Sequence, residues 1–163
     1  MLCQPQLLVY CENSHHKVLT ITSLMVGFSH GGWQLLIGKK VLIVDDQAGI
    51  RALLREVFSV FGFEVMEAQN GYEGLEKLER RPDIILLDMK MPGLSGIETL
   101  RQMRVKNATV PVILVTAYQE LEMINEAERL GVTARLIKPF DLDELQRIVR
   151  RVTETPELQV AGA

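Results

Sequence analysis

Four apolar runs of this sequence each end in polar side chains that could act together. In chain order these are two consecutive carboxylates, a third carboxylate, a hydroxyl and an ammonium group: Asp45 and Asp46, Asp88, Thr116, and Lys138. Three carboxylates held close together repel one another, and one would keep its proton unless positive charge compensates them. A divalent cation and the lysine are the natural compensation. Because hard cations prefer carboxylate, carbonyl and water oxygens, we expect Mg²⁺.

An aspartate in such surroundings can act as a nucleophile toward phosphorus. Aspartate forms covalent phosphoryl intermediates, and a phosphoryl group in transfer needs positioning and charge neutralisation more than acid–base catalysis. Asp88 is the expected acceptor, with Mg²⁺, Lys138 and Thr116 each binding one phosphoryl oxygen. Taken singly, each residue has an ordinary explanation, since Asp45 or Thr116 could cap a helix and Lys138 could be a solvated charge. Their combination at four predicted strand ends favours a functional site.

The elements that must position these side chains alternate between strand and helix five times. Continuous apolar runs predict buried parallel strands at 41–44, 84–87 and 112–115, and mixed segments predict two further strands at 63–67 and 132–137. Apolar residues at helical spacing predict helices within 50–61, 75–78, 97–103, 121–130 and 142–149, with Ser95 and Asp141 as caps. This alternation predicts an α/β fold, a doubly wound parallel sheet with helices on both faces. Ligands of such sheets bind at the carboxyl ends of the strands.

Composition limits the class of protein. Hydrophobic residues make up 47% of the 163, which suffices for one domain with a core. The net charge of −3, with scattered Lys and Arg, argues against a nucleic-acid partner. No apolar run reaches the roughly 18 residues of a membrane span. Cys3 and Cys11 form no metal-binding pattern, and the cysteine-free remainder is typical of the cytoplasm.

The chain divides into three predicted parts: an N-terminal extension at 1–37, a domain at 38–153 and a tail at 154–163. The extension has no sustained periodicity, so we expect it to lie outside the fold. Its composition also suggests a mis-assigned start codon, with Met25 as the alternative start. Because the sequence ends soon after the last predicted helix, we expect a phosphate on Asp88 to act through another protein rather than through an attached output domain.

Four motifs together resemble the response-regulator receiver domain: Val41–Asp46, Leu86–Gly96, Val115–Ala117 and Lys138–Phe140. The resemblance extends from residue 39 to residue 152 and implies a flavodoxin-like five-stranded sheet of order 2-1-3-4-5. It implies phosphorylation of Asp88. It also implies that Asp46 and Asp88 bind Mg²⁺ directly, Asp45 through water, and Lys90 through its backbone carbonyl.

A narrower resemblance is to the stand-alone receivers of the phosphorelay of spore-forming bacteria, and it is carried by 45–54, 86–90 and 116–121. It implies that the chain accepts a phosphoryl group from a sensor histidine kinase and donates it to a histidine-containing phosphotransferase, in the control of sporulation. An aspartyl-phosphate phosphatase is a further candidate partner. Such a chain is a phosphotransferase intermediate rather than a conventional turnover enzyme.

Docking of a partner needs an apolar patch beside the site. The expected partner-docking residues are Gln47, Ile50, Leu53, Tyr118, Pro139 and Phe140. Ile50 and Leu53 have a structural alternative, because apolar residues at helical spacing usually belong to the core. The Lys138–Pro139 peptide bond is expected to be cis, as in the family.

Three positions bear on the conformational response to phosphorylation and on the lifetime of the phosphate. Many receivers carry an aromatic switch three residues before the lysine, but this chain has Arg135 there, so an aromatic switch is not expected. Lys90 and Tyr118 each lie two positions after a site residue, Asp88 and Thr116 respectively. We expect this bulky pair to slow hydrolysis of the phosphate.

Three other functions stay open. A receiver can act by phosphorylation-dependent binding of a partner, without passing phosphate onward. An aspartate-nucleophile phosphatase would be an enzyme on a similar fold, but such enzymes typically carry Asp-x-Asp after the first strand, whereas Asp88 follows the third. A non-phosphorylated interaction module usually lacks an acidic residue or the lysine, and this chain has all of them.

Overall fold

The computed structural model describes residues 36–106, 109–117 and 124–154. They contain five strands: β1 Lys40–Val44, β2 Glu64–Ala68, β3 Ile84–Asp88, β4 Val112–Ala117 and β5 Ala134–Lys138. The strands form one parallel sheet in the order β2-β1-β3-β4-β5, which confirms the predicted fold class. The helices are α1 Ala48–Val60, α2 Gly71–Lys77, α3 Gly96–Lys106, α4 Ile124–Arg129 and α5 Leu142–Glu154, and a 3-10 turn at Leu78–Arg80 follows α2.

Successive side chains of each strand serve two separate hydrophobic clusters. In β1, Val41 and Ile43 join the cluster that contains the buried apolar residues of α1 and α5. Leu42 and Val44 join the cluster that contains those of α2 and α3, together with Ala127 of α4. Because both faces of the strand are covered, its sequence is continuously apolar instead of alternating. No helix of the described residues is long and apolar enough to cross a bilayer.

The structure moves three predicted boundaries. β2 begins at residue 64 because the Phe63 amide donates to the carbonyl of Phe58 and closes the end of α1. β5 begins at residue 134 because the Val132 amide donates to the carbonyl of Ala127 and closes the end of α4. The prediction that all of residues 1–37 lie outside the fold does not hold for Leu36, which is 1% exposed and belongs to the core.

Both predicted helix caps are present. The Ser95 hydroxyl accepts from the Glu98 amide at 3.3 Å, and the Glu98 carboxylate accepts from the Ser95 amide at 3.1 Å. The Asp141 carboxylate accepts from the Glu144 amide at 2.7 Å. Each cap satisfies amides that the first helical turn leaves without an intrahelical partner. The predictions for Cys3, Cys11, Met25 and Tyr118, and for the tail after residue 154, lie outside the described residues.

Candidate functional site

The carboxyl ends of four strands bring most of the predicted side chains to one edge of the sheet. Asp45 follows β1, Asp88 ends β3, and Thr116 and Lys138 lie at the ends of β4 and β5. The Lys138 ammonium donates to Asp88 Oδ1 at 2.6 Å and to Asp45 Oδ2 at 3.2 Å. One cation therefore bridges carboxylates that lie 50 and 93 positions away in the sequence.

The end of β3 is fixed by a close contact with α3. A Cβ atom on Gly96 would lie 2.3 Å from the Asp88 carbonyl oxygen and 2.6 Å from the Met89 Cα, so no larger residue fits there. The Gly96 amide donates to the Met89 carbonyl at 3.0 Å. Helix α3 therefore starts directly against the strand end, and the loop between them is held beside the Asp88 side chain.

The Asp88 carboxylate is nearly buried, with 5% of its side chain exposed. Burial raises the pKa of Asp88 from 3.8 to about 6, and the nearby Asp45 carboxylate adds to the increase. Lys138 opposes it, and so does the Lys90 amide, which donates to Asp88 Oδ2 at 3.0 Å. Asp88 is thus less acidic than an exposed aspartate but is ionised in most molecules at neutral pH.

Lys138 stays charged in this site. Burial by itself lowers the pKa of the Lys138 ammonium, but the charges and hydrogen bonds of Asp88 and Asp45 outweigh burial and raise that pKa above its ordinary value. A buried ammonium between two carboxylates is compensated, whereas either carboxylate alone at this depth would not be. The lysine therefore supplies a fixed positive charge at the point where a phosphoryl group on Asp88 would lie.

The acidic pair after β1 contains one satisfied and one unsatisfied carboxylate. Asp45 Oδ1 accepts from the Gln47 amide at 2.8 Å, and its other oxygen is bound to Lys138. Asp46 Oδ1 is buried and has no hydrogen-bond partner. A buried oxygen without a hydrogen-bond partner lowers the stability of the protein unless a bound group compensates it. A carboxylate oxygen of this kind is a suitable ligand for a hard cation.

The described residues hold no ready-formed cluster of three or more Asp, Glu, His or Cys side chains for a metal. The Lys138 ammonium occupies the space between two of the carboxylates instead. The donor chemistry still fits Mg²⁺, which commonly takes only one or two protein carboxylates and keeps several waters. The part assigned to the Lys90 carbonyl stays a prediction.

Thr116 is buried at the end of β4, as its predicted role requires. Its hydroxyl lies 3.6 Å from the Met89 thioether sulfur and 3.2 Å from the Ala117 carbonyl oxygen, and can donate to either. The reasoning from sequence did not single out Met89, because an apolar residue after a buried strand carries no sign of its own that it touches the site. The thioether is a weak acceptor, so it can release the hydroxyl to a stronger one.

The residues predicted for partner docking are not all at the surface. Gln47 and Pro139 are exposed, Leu53 is partly exposed, and the Lys138–Pro139 peptide bond is cis. Ile50 and Phe140 are 8% and 3% exposed, respectively, and both belong to the core cluster of α1 and α5. Their inclusion in a docking patch is therefore corrected, because each is packed in the core and presents almost no surface.

Arg135 lies on β5 with an exposed side chain that donates to Glu128 at 3.3 Å. More than half of each side chain is exposed, so this pair contributes little to stability. The position that many receivers fill with an aromatic residue thus carries a solvated ion pair.

The stability of the metal-free protein should depend on the ionisation of Asp88. Because the pKa of Asp88 rises from 3.8 to about 6 on folding, the folded chain binds this proton more tightly than the unfolded chain does. The contribution of Asp88 to stability is therefore lost as pH rises between those values, by about 3 kcal/mol in all. Urea unfolding in EDTA should show that Asp88→Asn gains stability relative to wild type over this range. A difference between the two proteins that is constant with pH would contradict the assignment.

Comparison with known proteins gives a consistent result. The profile of the response regulator receiver domain matches residues 41–150. Sporulation initiation phosphotransferase F of Bacillus subtilis is 47% identical over 117 residues, which cover 71% of this chain and 94% of that protein. Chemotaxis protein CheY of Thermotoga maritima is 33% identical over 120 residues, which cover 72% of this chain and all of that protein.

Solved structures agree with the sequence comparisons. The receiver domain of AraT, a response regulator from Geobacillus stearothermophilus, superposes with a TM-score of 0.66 at 38% sequence identity. The superposition covers 72% of this chain and 95% of that domain. Residues 41–150, which the family profile matches, include the four strand ends that carry the site.

Proposed function

The chain belongs to the response regulator receiver domain family, and on that basis we propose that it is a phosphorelay intermediate. Asp88 accepts a phosphoryl group from a phosphohistidine of a sensor kinase and donates it to a histidine of a separate phosphotransferase. The observation that carries this proposal is the Lys138 ammonium, 2.6 Å from a buried Asp88 carboxylate. The relay role is supported by the 47% identity to sporulation initiation phosphotransferase F over nearly the whole of that protein.

The chemical step is an in-line displacement at phosphorus. A carboxylate oxygen of Asp88 forms a new O–P bond while the N–P bond to the histidine breaks, and the imidazole leaves with the electron pair. The carboxylate is the nucleophile because it is ionised in most molecules at neutral pH despite its raised pKa. Transfer to a second histidine is the same step in reverse.

Negative charge on the transferred phosphoryl group is neutralised by residues that are already positioned in the site. Lys138 binds one phosphoryl oxygen, and the Thr116 hydroxyl turns from its weak sulfur acceptor to bind another. Asp46 and Asp88 would hold Mg²⁺ directly, and Asp45 and the Lys90 carbonyl would complete its surroundings. Bound there, the metal would supply neutralisation of charge on a further phosphoryl oxygen.

Partner recognition involves the rim of this edge of the sheet. Of the residues expected to dock a partner, Gln47, Leu53 and Pro139 offer surface in the described chain. We place the protein in the cytoplasm, where kinase and phosphotransferase meet, and assign it to the control of sporulation. An aspartyl-phosphate phosphatase is a further partner for the same edge.

A phosphotransfer assay tests the proposal. A sensor kinase labelled on histidine with radioactive phosphate should lose label to this chain in the presence of Mg²⁺, and the chain should then label a histidine-containing phosphotransferase. Control reactions omit this chain, and the phosphotransferase should stay unlabelled in them. Label that reaches the chain but goes no further would favour a receiver that acts by binding a partner. A chain that takes up no label from kinases or from acetyl phosphate would support a non-phosphorylated module.

A further inference from the structure

Arg51, in the first turns of α1, reaches back to the loop that carries the acidic pair. Its guanidinium Nη1 donates to the backbone carbonyl oxygen of Asp45 at 2.7 Å. Its Nε lies 3.9 Å from a carboxylate oxygen of Glu67 on β2. Only 15% of the Arg51 side chain is exposed, so this charge is held in place instead of moving freely in solvent.

The carbonyl that Arg51 binds belongs to the peptide unit between Asp45 and Asp46. Because a peptide unit is planar, fixing its oxygen also fixes the direction in which the chain leaves Asp45 and enters Asp46. The other groups of Asp45 are held as well: its amide donates to the Ala68 carbonyl at 3.1 Å, and its carboxylate binds the Gln47 amide and Lys138. Asp45 is therefore fully tethered, directly before the unsatisfied oxygen of Asp46.

We propose that Arg51 is a positioning residue that fixes the Asp45–Asp46 peptide unit and thereby prepares the acidic pair to bind Mg²⁺. This inference rests on the proposed function, because it takes the metal to bind at that pair. Arg51 does not touch the reacting atoms, and Glu67 balances its charge. Groups that hydrogen-bond to metal-binding residues without touching the metal typically orient those residues and increase metal affinity.

A purely electrostatic role and a positioning role of Arg51 predict opposite changes in Mg²⁺ affinity when Arg51 is replaced. If the guanidinium acted only as a nearby positive charge, its removal would strengthen the binding of Mg²⁺, since like charges repel. If it acts by fixing the peptide unit, its removal weakens binding because the carboxylates must be ordered when the metal enters. The direction of the change therefore decides between the two.

The experiment is isothermal titration calorimetry of the unphosphorylated full chain with MgCl₂. We expect Arg51→Ala to raise the dissociation constant for Mg²⁺ by about tenfold. Arg51→Lys keeps the charge but loses the planar fork that meets both partners, and we expect a smaller increase, about threefold. Arg55→Ala is the matched control: Arg55 lies one turn along the same helix, pairs with the same Glu67 at 3.0 Å, and is about half exposed. It should bind Mg²⁺ as wild type does.

The possible failures are distinguishable. Binding by Arg51→Ala that is as tight as wild type or tighter overturns the positioning role and leaves the proposed function in place. An equal weakening in Arg55→Ala also overturns it, because the effect would then follow from the shared ion pairs with Glu67. Absence of Mg²⁺ binding by wild type overturns the metal site and this inference with it. If circular dichroism shows that Arg51→Ala is unfolded, Arg51→Lys decides, and wild-type affinity in that variant overturns the inference.

Discussion

Replacing Asp88 with Asn should reduce the uptake of phosphate from acetyl phosphate and Mg²⁺ more than about a hundredfold. The amide is nearly the same size as the carboxylate and can still accept from the Lys90 amide, which bonds to Asp88 at 3.0 Å. It is a poor nucleophile toward phosphorus and carries no charge to pair with Lys138. Because the size of the side chain and its contact with the Lys90 amide are kept, the loss reports chemistry rather than collapse of the site. The stability of the metal-free variant relative to wild type should increase as pH rises toward about 6.

The measurement is the amount of acid-stable, hydroxylamine-labile phosphate on the intact chain, followed by mass spectrometry. Those two properties identify an acyl phosphate, since phosphoserine and phosphothreonine resist hydroxylamine. Asp143→Asn is the matched control, because Asp143 is an exposed aspartate on α5, on a helix that carries none of the site residues. It should label as wild type does. Equal labelling of Asp88→Asn and wild type would refute Asp88 as the acceptor.

The residues that lie at strand ends could be predicted from the sequence because two rules apply to them at once. An apolar run that ends in Asp88 or Lys138 shows where a buried parallel strand stops. The topology of such sheets then places the carboxyl ends of neighbouring strands along one edge. The 93-residue separation between Asp45 and Lys138 was therefore bridged by fold rules alone, and the structure places their charged groups 3.2 Å apart.

The docking residues could not be sorted in the same way. Ile50, Leu53 and Phe140 are all apolar and near the site, and nothing in the sequence says which of them faces the sheet. In the structure Ile50 and Phe140 fill the core, while Leu53, one turn along α1 from Ile50, stays partly exposed. Helical periodicity gives the spacing of a buried stripe, but its exact edge depends on how the helix is rotated against the sheet.

Arg51 was missed for the opposite reason. A charged residue between the apolar positions of an amphipathic helix is expected to be solvated, and Arg55 on the same helix is about half exposed. Only the three-dimensional structure shows that Arg51 folds back onto the Asp45 carbonyl. Long side chains with several donors can act far from their own helical position, and sequence patterns do not record this.

Replacing Lys138 with Met should separate phosphoryl transfer from metal binding. Met keeps much of the length and apolar stem of lysine but removes the ammonium that bridges Asp45 and Asp88. Removing one preorganised charge that faces a developing negative group typically lowers the rate by about a hundredfold or more. We expect phosphorylation by acetyl phosphate to fall by that amount. Lys106→Met, which removes an exposed lysine at the end of α3, is the control and should leave the rate unchanged.

The binding of Mg²⁺ by Lys138→Met should change in the other direction. Lys138 lowers the pKa of Asp88, so that pKa should rise above about 6 in the variant, and the titration is best made near pH 8, where the Asp88 carboxylate is ionised. There the metal no longer meets a competing positive charge, and its affinity should equal or exceed that of wild type in calorimetry. Loss of metal binding together with phosphorylation would mean that Lys138 mainly holds the carboxylates in place. Undiminished phosphorylation would mean that groups other than Lys138 neutralise the charge of the phosphoryl group during transfer. If the rate of phosphorylation falls while Mg²⁺ binding is retained, the ammonium acts on the phosphoryl group itself. The 2.6 Å contact between Lys138 and Asp88 then marks the position of a phosphoryl oxygen.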